Sequence, residues 1–354
     1  MLNIAKRYQR SWRYYAKSEI KYESIEGFWL GELANEFSLD NLLDKNQIYS
    51  LFHSRNPSTN SPLNSTKRAI AVYDLVFSAP KEISLLALAE NDKELNSIGR
   101  TAHQRAIKAT FNYLEAVLSV ARQSKNKQPR LVKTKGLLAL GINHKLSRMA
   151  DPHLHTHLLI ANLTTKDYTK YTGLISTLIY STRTTASMVY RDYLLKELRQ
   201  GLVLKDNIKL NNLGLYDSVI LNAFSKRHFQ IQSELKSWPH SPTWKVKEVA
   251  FLKSRPAKQS HELNGLKNTW VNTMTRYLKP NNKIISRVNP VKELDDVKKE
   301  INLTPDLERL SEKTLKKLEN LFNGNLSAIN QKELSEPFEL DNSINLQSIE
   351  LDFF

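Results

Sequence analysis

The sequence of 354 residues contains no cysteine, which excludes disulfides, thiolate nucleophiles, cysteine zinc sites and iron–sulfur clusters. It has no apolar run near the roughly 18 residues that span a bilayer, and its basic start lacks the apolar segment of a signal peptide. No G-x-x-x-x-G-K-[ST] motif occurs, which excludes a P-loop ATPase within this chain. We therefore expect a cytoplasmic protein without membrane insertion.

Charge is distributed unevenly along the chain. There are 52 Lys and Arg against 36 Asp and Glu, which gives a formal charge of +16. Residues 290–354 hold 8 basic and 14 acidic residues, so subtraction leaves 44 basic and 22 acidic residues in 1–289, a charge of +22. A body this basic favours a polyanionic partner, most simply nucleic acid.

The same change in composition divides the chain into two regions. We expect a folded body over residues 1–280 and an acidic, polar tail over residues 281–354. The tail is rich in Asn and Ser and contains two amphipathic stretches, Val291–Leu303 and Leu310–Phe322. We therefore predict a partly helical linker.

Hydrophobic periodicity predicts both strands and helices in the body. Three segments rich in β-branched, aromatic or other apolar residues are predicted strands: Ala69–Ser78, Leu131–Asn143 and His153–Thr164. The segments without breakers are predicted helices, at residues 12–22, 81–90, 92–123, 177–200 and, with loops, 222–278. Strands interleaved with long helices indicate a sheet with helices packed on it, of the α/β or α+β class.

Four of the nine histidines fall between residues 144 and 157. In the segment HLHTHLLIANLT, the strand period of two puts His153, His155 and His157 on one face. Two histidines at i and i+2 can converge on one metal ion, and His144 on the preceding strand can supply a third ligand. Three neutral imidazoles with open coordination positions suit a catalytic metal that polarises a phosphate oxygen.

These histidines belong to a longer pattern of motifs. The first histidine of the triad precedes the second by 11 positions, with an Asp-Pro turn between them. Residues 74–81 read DLVFSAPK, residues 224–227 read FSKR, and a pair of tyrosines stands near the N-terminus. Together these motifs resemble those of conjugative relaxases of the MobF class (the TrwC/TraI type), within the HUH endonucleases. The resemblance spans residues 1 to about 280.

The resemblance implies an α+β fold. A central antiparallel sheet flanked by helices would form the HUH relaxase palm, and C-terminal helical fingers would occupy about residues 222–280. It also implies site- and strand-specific nicking of single-stranded origin-of-transfer DNA, through a 5′-phosphotyrosyl intermediate, followed by strand rejoining. The implied partners are single-stranded or hairpin origin DNA, relaxosome accessory proteins and a type IV secretion coupling protein, and we expect a monomer.

The resemblance also assigns roles at the site. His144, His155 and His157 would hold a divalent metal ion, and Asp74 would orient a histidine or accept the tyrosine proton. Three histidines favour Zn or Ni thermodynamically, so either ion could occupy the site in a crystal. We expect Mg or Mn in cells, because phosphate chemistry there commonly uses these abundant ions.

Three N-terminal tyrosines are candidates for the nucleophile. Tyr22 follows Tyr14 by eight residues, which on a helix is about 80° around and about 12 Å along the axis. We predict Tyr14 as the first nucleophile, Tyr22 as the second and Tyr15 as a packing residue. Two positions depart from the family pattern: Lys145 stands where an Asp is usual, and Tyr22 is single rather than paired.

Several cations are predicted to contact DNA. Lys81 and Arg148 are candidate phosphate-binding residues, and Lys226 and Arg227 lie in the FSKR motif at residues 224–227. Residues 121–135 hold six Lys or Arg and no acid, which indicates a loop that contacts the DNA backbone. Basic residues alternate with aromatics from 225 to 258, a composition suited to stacking on unpaired bases.

Two alternatives remain open from the sequence. A rolling-circle replication initiator shares the histidine pair but usually carries its tyrosine downstream as Tyr-x-x-Lys, and Tyr193 to Lys196 fits that pattern on a predicted helix. The other alternative is a basic single-strand DNA-binding module without catalysis. A covalent protein–DNA adduct, and the tyrosine that carries it, would discriminate among the three.

Overall fold

The computed structural model describes residues 2–17, 24–40, 43–64, 68–125, 128–204, 208–210, 212–236, 249–251, 253–254, 256 and 261–277. The predictions for Tyr22 and for the tail from residue 281 lie outside these residues. Within the described part of the chain, every helix is too short or too polar to cross a bilayer.

A five-stranded antiparallel sheet forms the centre of the fold, with the strand order β1–β3–β7–β6–β2. The predicted α+β class with a central antiparallel sheet is therefore confirmed. The five strands are β1 (Leu2–Arg7), β2 (Gly27–Leu30), β3 (Val72–Ser78), β6 (Ala139–Leu146) and β7 (Pro152–Ala161). Two small sheets lie beside it, formed by β4 (Val120–Lys125) with β5 (Gln128–Lys133), and by β8 (Thr164–Thr165) with β9 (Tyr171–Thr172).

Helices cover both faces of this sheet. The first face, which we call the long-helix face, packs against α4 (Lys81–Leu88), α5 (Lys93–Leu118), α6 (Ser176–Ser181) and α7 (Arg183–Gly201). The second, the short-helix face, packs against α1 (Trp12–Tyr15), α2 (Glu32–Glu36) and α3 (Lys45–Phe52). A 3₁₀ turn at Gln9–Ser11 leads from β1 into α1.

Alternation along the strands supplies apolar side chains to both layers. In β7, Leu158 and Ile160 join the core of the long-helix face, whereas Leu159 and Ala161 join that of the short-helix face. Each fully buried Leu or Ile contributes about 1.5–3 kcal/mol to folding. Because both faces are buried, a register slip of one residue would exchange the two sets, so the register is strongly specified.

The C-terminal part of the described chain contains α8 (Ser218–Ala223), α9 (Lys226–Lys236) and α10 (Leu263–Tyr277). Trp270 and Met274 of α10 are buried in the core of the long-helix face. α9 and α10 lie in the region predicted to form fingers, about residues 222–280, whereas α8 ends at the start of that region. The boundary between body and tail at residues 280 and 281 stays a prediction.

Some predicted elements differ from the observed ones. The helix predicted over 92–123 ends at Leu118, because the chain from Val120 onward pairs with β5 instead. The helix predicted over 177–200 is interrupted at Thr182, whose hydroxyl donates to the carbonyl oxygen of Ile179. The described helix of the N-terminal region covers Trp12–Tyr15 only.

Candidate metal centre and nucleophile

Three histidine side chains meet on the short-helix face of the sheet. His144 of β6 is the register partner of His155 of β7, and His157 lies two residues further along β7. One ligand nitrogen from each of the three lies within 4.8 Å of the others, and His144 and His157 are buried. The register between adjacent antiparallel strands therefore produces the convergence that the sequence spacing predicted.

Hydrogen bonds orient two of these imidazoles. Nδ1 of His157 lies 2.8 Å from Oδ1 of Asp74, and Nδ1 of His155 lies 3.0 Å from the main-chain oxygen of His153. Both partners are acceptors, so each Nδ1 carries the hydrogen and each Nε2 keeps its lone pair for a ligand. Neutral imidazoles held in this tautomer are the donor set that a divalent metal ion requires, so the residues fit such an ion.

Asp74 lies beneath the triad and is fully buried. Its second oxygen, Oδ2, accepts from the hydroxyl of Tyr15 at 2.7 Å and from Nε and Nη2 of Arg7 at 2.9 and 2.7 Å. Burial alone would raise the pKa of Asp74. The neighbouring His157, the hydrogen bonds that Asp74 accepts and the Arg7 guanidinium outweigh burial and lower this pKa to about 2. Asp74 is thus an ionised acceptor that holds His157 in place. Its second predicted role, as acceptor of the nucleophile's proton, stays a prediction.

Tyr14 lies beside the triad. The centroid of its ring is 6.2 Å from that of His157 and 6.4 Å from that of His144. Nη2 of Arg148 donates to the Tyr14 hydroxyl at 3.2 Å, and the guanidinium carbon lies 5.7 Å from the ring centroid. A cation at the phenol oxygen stabilises the phenolate relative to the phenol. The phenolate is the form that attacks phosphorus.

Tyr15 has a different environment, although it is adjacent in sequence. Its side chain is 1% exposed, its ring stacks on Phe52, and its hydroxyl donates to Asp74 and accepts from Arg7. Burial, followed by the negative charge of Asp74, raises the pKa of Tyr15 far above its ordinary value. The predicted packing role is consistent with this burial, but the hydroxyl contact and the participation of Arg7 were not predicted.

The four cations predicted to contact DNA occupy different settings. Arg148 contacts Tyr14, and Lys226 has a side chain that is 59% exposed, with Nζ 3.4 Å from Oδ1 of Asp151. Lys81 donates to the main-chain oxygen of Pro152 at 3.0 Å, and burial lowers its pKa to about 8. Arg227 is buried and donates to the main-chain oxygens of Phe251 and Ser254. DNA contact by Lys81 and Arg227 stays a prediction that competes with these internal contacts.

Tyr193, the tyrosine of the alternative initiator pattern, lies on α7. Its ring packs against the core of the long-helix face, and Nζ of Lys196 lies 5.5 Å from the ring centroid. The sheet therefore separates Tyr193 from the histidine triad, which occupies the opposite face.

Comparison with known proteins identifies a matching family. The sequence model of the TrwC relaxase family matches residues 3–277. Among curated proteins, the multifunctional conjugation protein TraI of Escherichia coli (strain K12) is 28% identical over 260 residues, which are 70% of this chain. The matched region is 14% of TraI, so this chain corresponds to a small part of that relative.

Solved structures of the conjugative relaxase TrwC are also similar to this fold. The metal-bound structure of TrwC in complex with oriT DNA has a TM-score of 0.68 and 28% identity, and the match covers 78% of this chain and 98% of that chain. TrwC complexed with a 27-mer DNA that comprises the recognition hairpin and the cleavage site has a TM-score of 0.66, with the same identity and coverage.

Proposed function

The chain belongs to the TrwC relaxase family, and from this premise we propose that it nicks one strand of origin-of-transfer DNA and later rejoins it. The observation that carries this proposal is the position of Tyr14, with its ring beside His144 and His157 and its hydroxyl on Arg148. A tyrosine beside a histidine metal site is the arrangement that metal-assisted tyrosine attack on a phosphodiester requires.

The reaction we propose is a transesterification. The oxygen of the Tyr14 phenolate attacks phosphorus, the bond from phosphorus to the 3′ oxygen breaks, and that oxygen takes up a proton as a free 3′-hydroxyl. The 5′-phosphate remains on Tyr14 as a phosphodiester, so the reverse reaction can reseal the strand. At pH 7 a tyrosine of ordinary pKa is about a thousandth ionised, a deficit of roughly 4 kcal/mol. Arg148 reduces that deficit by stabilising the phenolate.

The histidine triad provides the metal site. A divalent ion held by His144, His155 and His157 would supply positive charge for the non-bridging oxygens of the phosphate as negative charge develops there. The chain contributes the orientation of the ligands, because Asp74 fixes His157 and the main chain fixes His155. We propose Mg or Mn as the working ion in cells, with Zn or Ni as ions that a crystal could contain.

The choice of Tyr14 over the other tyrosines follows from burial and position. Tyr15 is buried and shares its hydroxyl with a carboxylate, so its phenolate is disfavoured. Tyr193 lies on the other face of the sheet. We propose Tyr22 as a second nucleophile, which would accept the strand in the closing transfer while Tyr14 is still esterified.

Origin DNA is the proposed partner. The solved TrwC complexes contain oriT DNA, in one case with its recognition hairpin, and this chain shares their fold. Strands β4 (Val120–Lys125) and β5 (Gln128–Lys133) form a two-stranded antiparallel ribbon that overlaps the basic segment noted in the sequence. We propose that this ribbon and Lys226 contact phosphates, which contributes affinity without base specificity.

We further propose that the protein acts as a monomer in the cytoplasm, where plasmid DNA is found. Relaxosome accessory proteins and a type IV secretion coupling protein are the proposed protein partners. Sedimentation with and without origin DNA would test the oligomeric state, and a dimer at micromolar concentration would contradict it.

Peptide mapping of a covalent adduct tests the proposal directly. The protein is incubated with a 5′- and 3′-labelled single-stranded origin oligonucleotide and a divalent metal ion, then denatured in SDS. We expect an SDS-resistant adduct at Tyr14 that retains the label on the 3′ side of the nick. An adduct at Tyr193 would support the replication initiator, and binding without an adduct would support the non-catalytic module.

A further inference from the structure

The loop that joins the two histidine strands is ordered by its own side chains. Ser147 Oγ accepts from the main-chain nitrogens of Met149 and Asp151, at 3.2 and 3.1 Å. Ala150 adopts a left-handed backbone conformation, with φ of 57°. A non-glycine residue in this conformation persists where the surroundings determine it strongly.

The C-terminal helices supply those surroundings. Nε1 of Trp270 in α10 donates to the main-chain oxygen of Ala150 at 3.1 Å, and the Trp270 side chain is only 3% exposed. The main-chain nitrogen of Lys226, the first residue of α9, donates to Oδ2 of the buried Asp151 at 2.9 Å. Two helices from the end of the described chain therefore hold two consecutive residues of this loop.

The same loop contacts the nucleophile. Arg148 lies two residues before Ala150, and its Nη2 is the donor to the Tyr14 hydroxyl. The Arg148 guanidinium also lies over the Tyr14 ring. α10 is thus linked to the phenol oxygen by the contact of Trp270 with Ala150, the short stretch of main chain from Ala150 to Arg148, and the contact of Arg148 with Tyr14.

We infer that Trp270 and Asp151 are positioning residues for the nicking reaction, because they fix the loop that places Arg148 on the Tyr14 hydroxyl. The inference rests on the proposed function and adds a role for the C-terminal helices other than contact with DNA. A shift of about 1 Å in the position of a reacting group can reduce a rate by about a hundredfold. The single hydrogen bond from Trp270 to Ala150 can therefore influence the rate of the reaction at Tyr14 through the position of the loop.

A double-mutant cycle tests this coupling. Trp270→Phe keeps a smaller aromatic ring in the core but removes the donor to Ala150, and we expect single-turnover adduct formation at saturating protein to slow about three- to tenfold. The affinity for an uncleaved origin oligonucleotide should stay within about twofold, since Trp270 acts on the nucleophile and not on DNA. The matched control is Thr275→Ala, which removes an intrahelical hydrogen bond on the exposed side of α10 and should leave the rate unchanged.

The second half of the cycle uses Arg148→Gln. If Trp270 acts through Arg148, adding Trp270→Phe to Arg148→Gln should cause no further loss of rate. Losses that multiply, or a Trp270 variant that only weakens DNA binding, would overturn the inference.

Asp151→Ala provides an independent variant with the same expected pattern, and it decides the question if thermal unfolding shows that Trp270→Phe is misfolded. A wild-type protein that forms no adduct would overturn the proposed function as well, whereas a wild-type adduct with multiplicative losses overturns only this inference.

Discussion

The two faces of the central sheet hold buried histidines in contrasting ways. On the short-helix face, His157 bonds a carboxylate, Asp74, through one ring nitrogen, and its ring faces the other two histidines of the triad. On the long-helix face, His103 of α5 bonds hydroxyl groups through both nitrogens, Nδ1 to Tyr190 at 2.7 Å and Nε2 to Thr156 at 2.9 Å. Thr156 lies between two triad histidines in sequence, so β7 presents the histidines on one face of the sheet and the partner of His103 on the other.

The partners of each histidine explain the difference in role. The Thr156 hydroxyl donates to Oδ1 of Asn143, so it accepts from Nε2 of His103, and Tyr190 must donate to Nδ1. Both nitrogens of His103 are thereby used within the core, and burial lowers its pKa to about 3. A carboxylate on one nitrogen prepares a histidine to bind a metal ion, whereas hydroxyls on both nitrogens make it part of the packing.

The largest expected effect tests whether the chemistry is confined to the short-helix face. Tyr14→Phe should abolish adduct formation on a single-stranded origin, a loss of at least about a thousandfold, because the attacking oxygen is removed. Tyr22→Phe should cleave nearly normally in the same gel assay. A wild-type rate in Tyr14→Phe together with loss in Tyr22→Phe would reverse the two roles.

The next effect compares the two kinds of histidine partner. Asp74→Asn should weaken metal binding about 10- to 100-fold, because the amide orients His157 less firmly than a carboxylate does. His103→Gln, the matched variant on the opposite face, should leave metal affinity within about twofold. Titration calorimetry with Mn²⁺ measures both values. Equal losses in the two variants would show that the faces do not differ as described.

The response to acid should sharpen the comparison. The pKa of His103 is depressed in the folded protein, so below about pH 6.5 the unfolded chain binds a proton that the folded chain does not. The contribution of His103 to the free energy of unfolding is therefore fully present above pH 6.5. It is lost as pH falls toward 3, by up to about 1.4 kcal/mol per pH unit. In His103→Gln this component should vanish, so its stability relative to wild type should improve as pH falls from 6.5 to 4. Urea unfolding of the metal-free proteins measures the difference, and a constant difference over this range would contradict the prediction.

The smallest effect is expected from a change that leaves both faces intact. Deletion of residues 290–354 removes a net charge of −6 and ends after α10, so cleavage should stay within about twofold of the full chain. DNA affinity should rise slightly, and its logarithm should fall with the logarithm of salt at a slope of about −4 if roughly six phosphates are neutralised. Loss of nicking in the truncated protein would place the domain boundary elsewhere.

The sequence was sufficient to predict the triad because the signal is local. Two histidines at a strand spacing of two face the same way, and the adjacent strand brings His144 opposite His155. β3 and β7 were predicted from their apolar composition, which reflects burial on both faces. The strand predicted over 131–143 is instead divided between β5 and β6. Such features depend on short stretches of chain and need no knowledge of distant contacts.

Features that depend on tertiary pairing were not predictable. The contact of Arg7 with Asp74 requires the register of β1 against β3, in which Ala5 faces Asp74. The burial of Arg227 depends on main-chain oxygens near residues 251 and 254. A charged side chain in a sequence motif gives no sign of whether it faces DNA or the interior, so the internal contacts of Arg227 could not be predicted alongside its predicted contact with DNA.

The strand order has a consequence for how the site opens. β7 and β6, which carry the histidines, have a strand on each side, whereas β1, which leads to Tyr14, is at the edge of the sheet. Amide hydrogens in the middle of such a sheet exchange with solvent mainly through global unfolding, while edge segments exchange through local opening at lower free energy. The proposed nucleophile, Tyr14, is thus attached to an element of lower local stability than the proposed metal ligands. A DNA end bound to Tyr14 could move away from the triad without dismantling it, which leaves the triad assembled for the next strand.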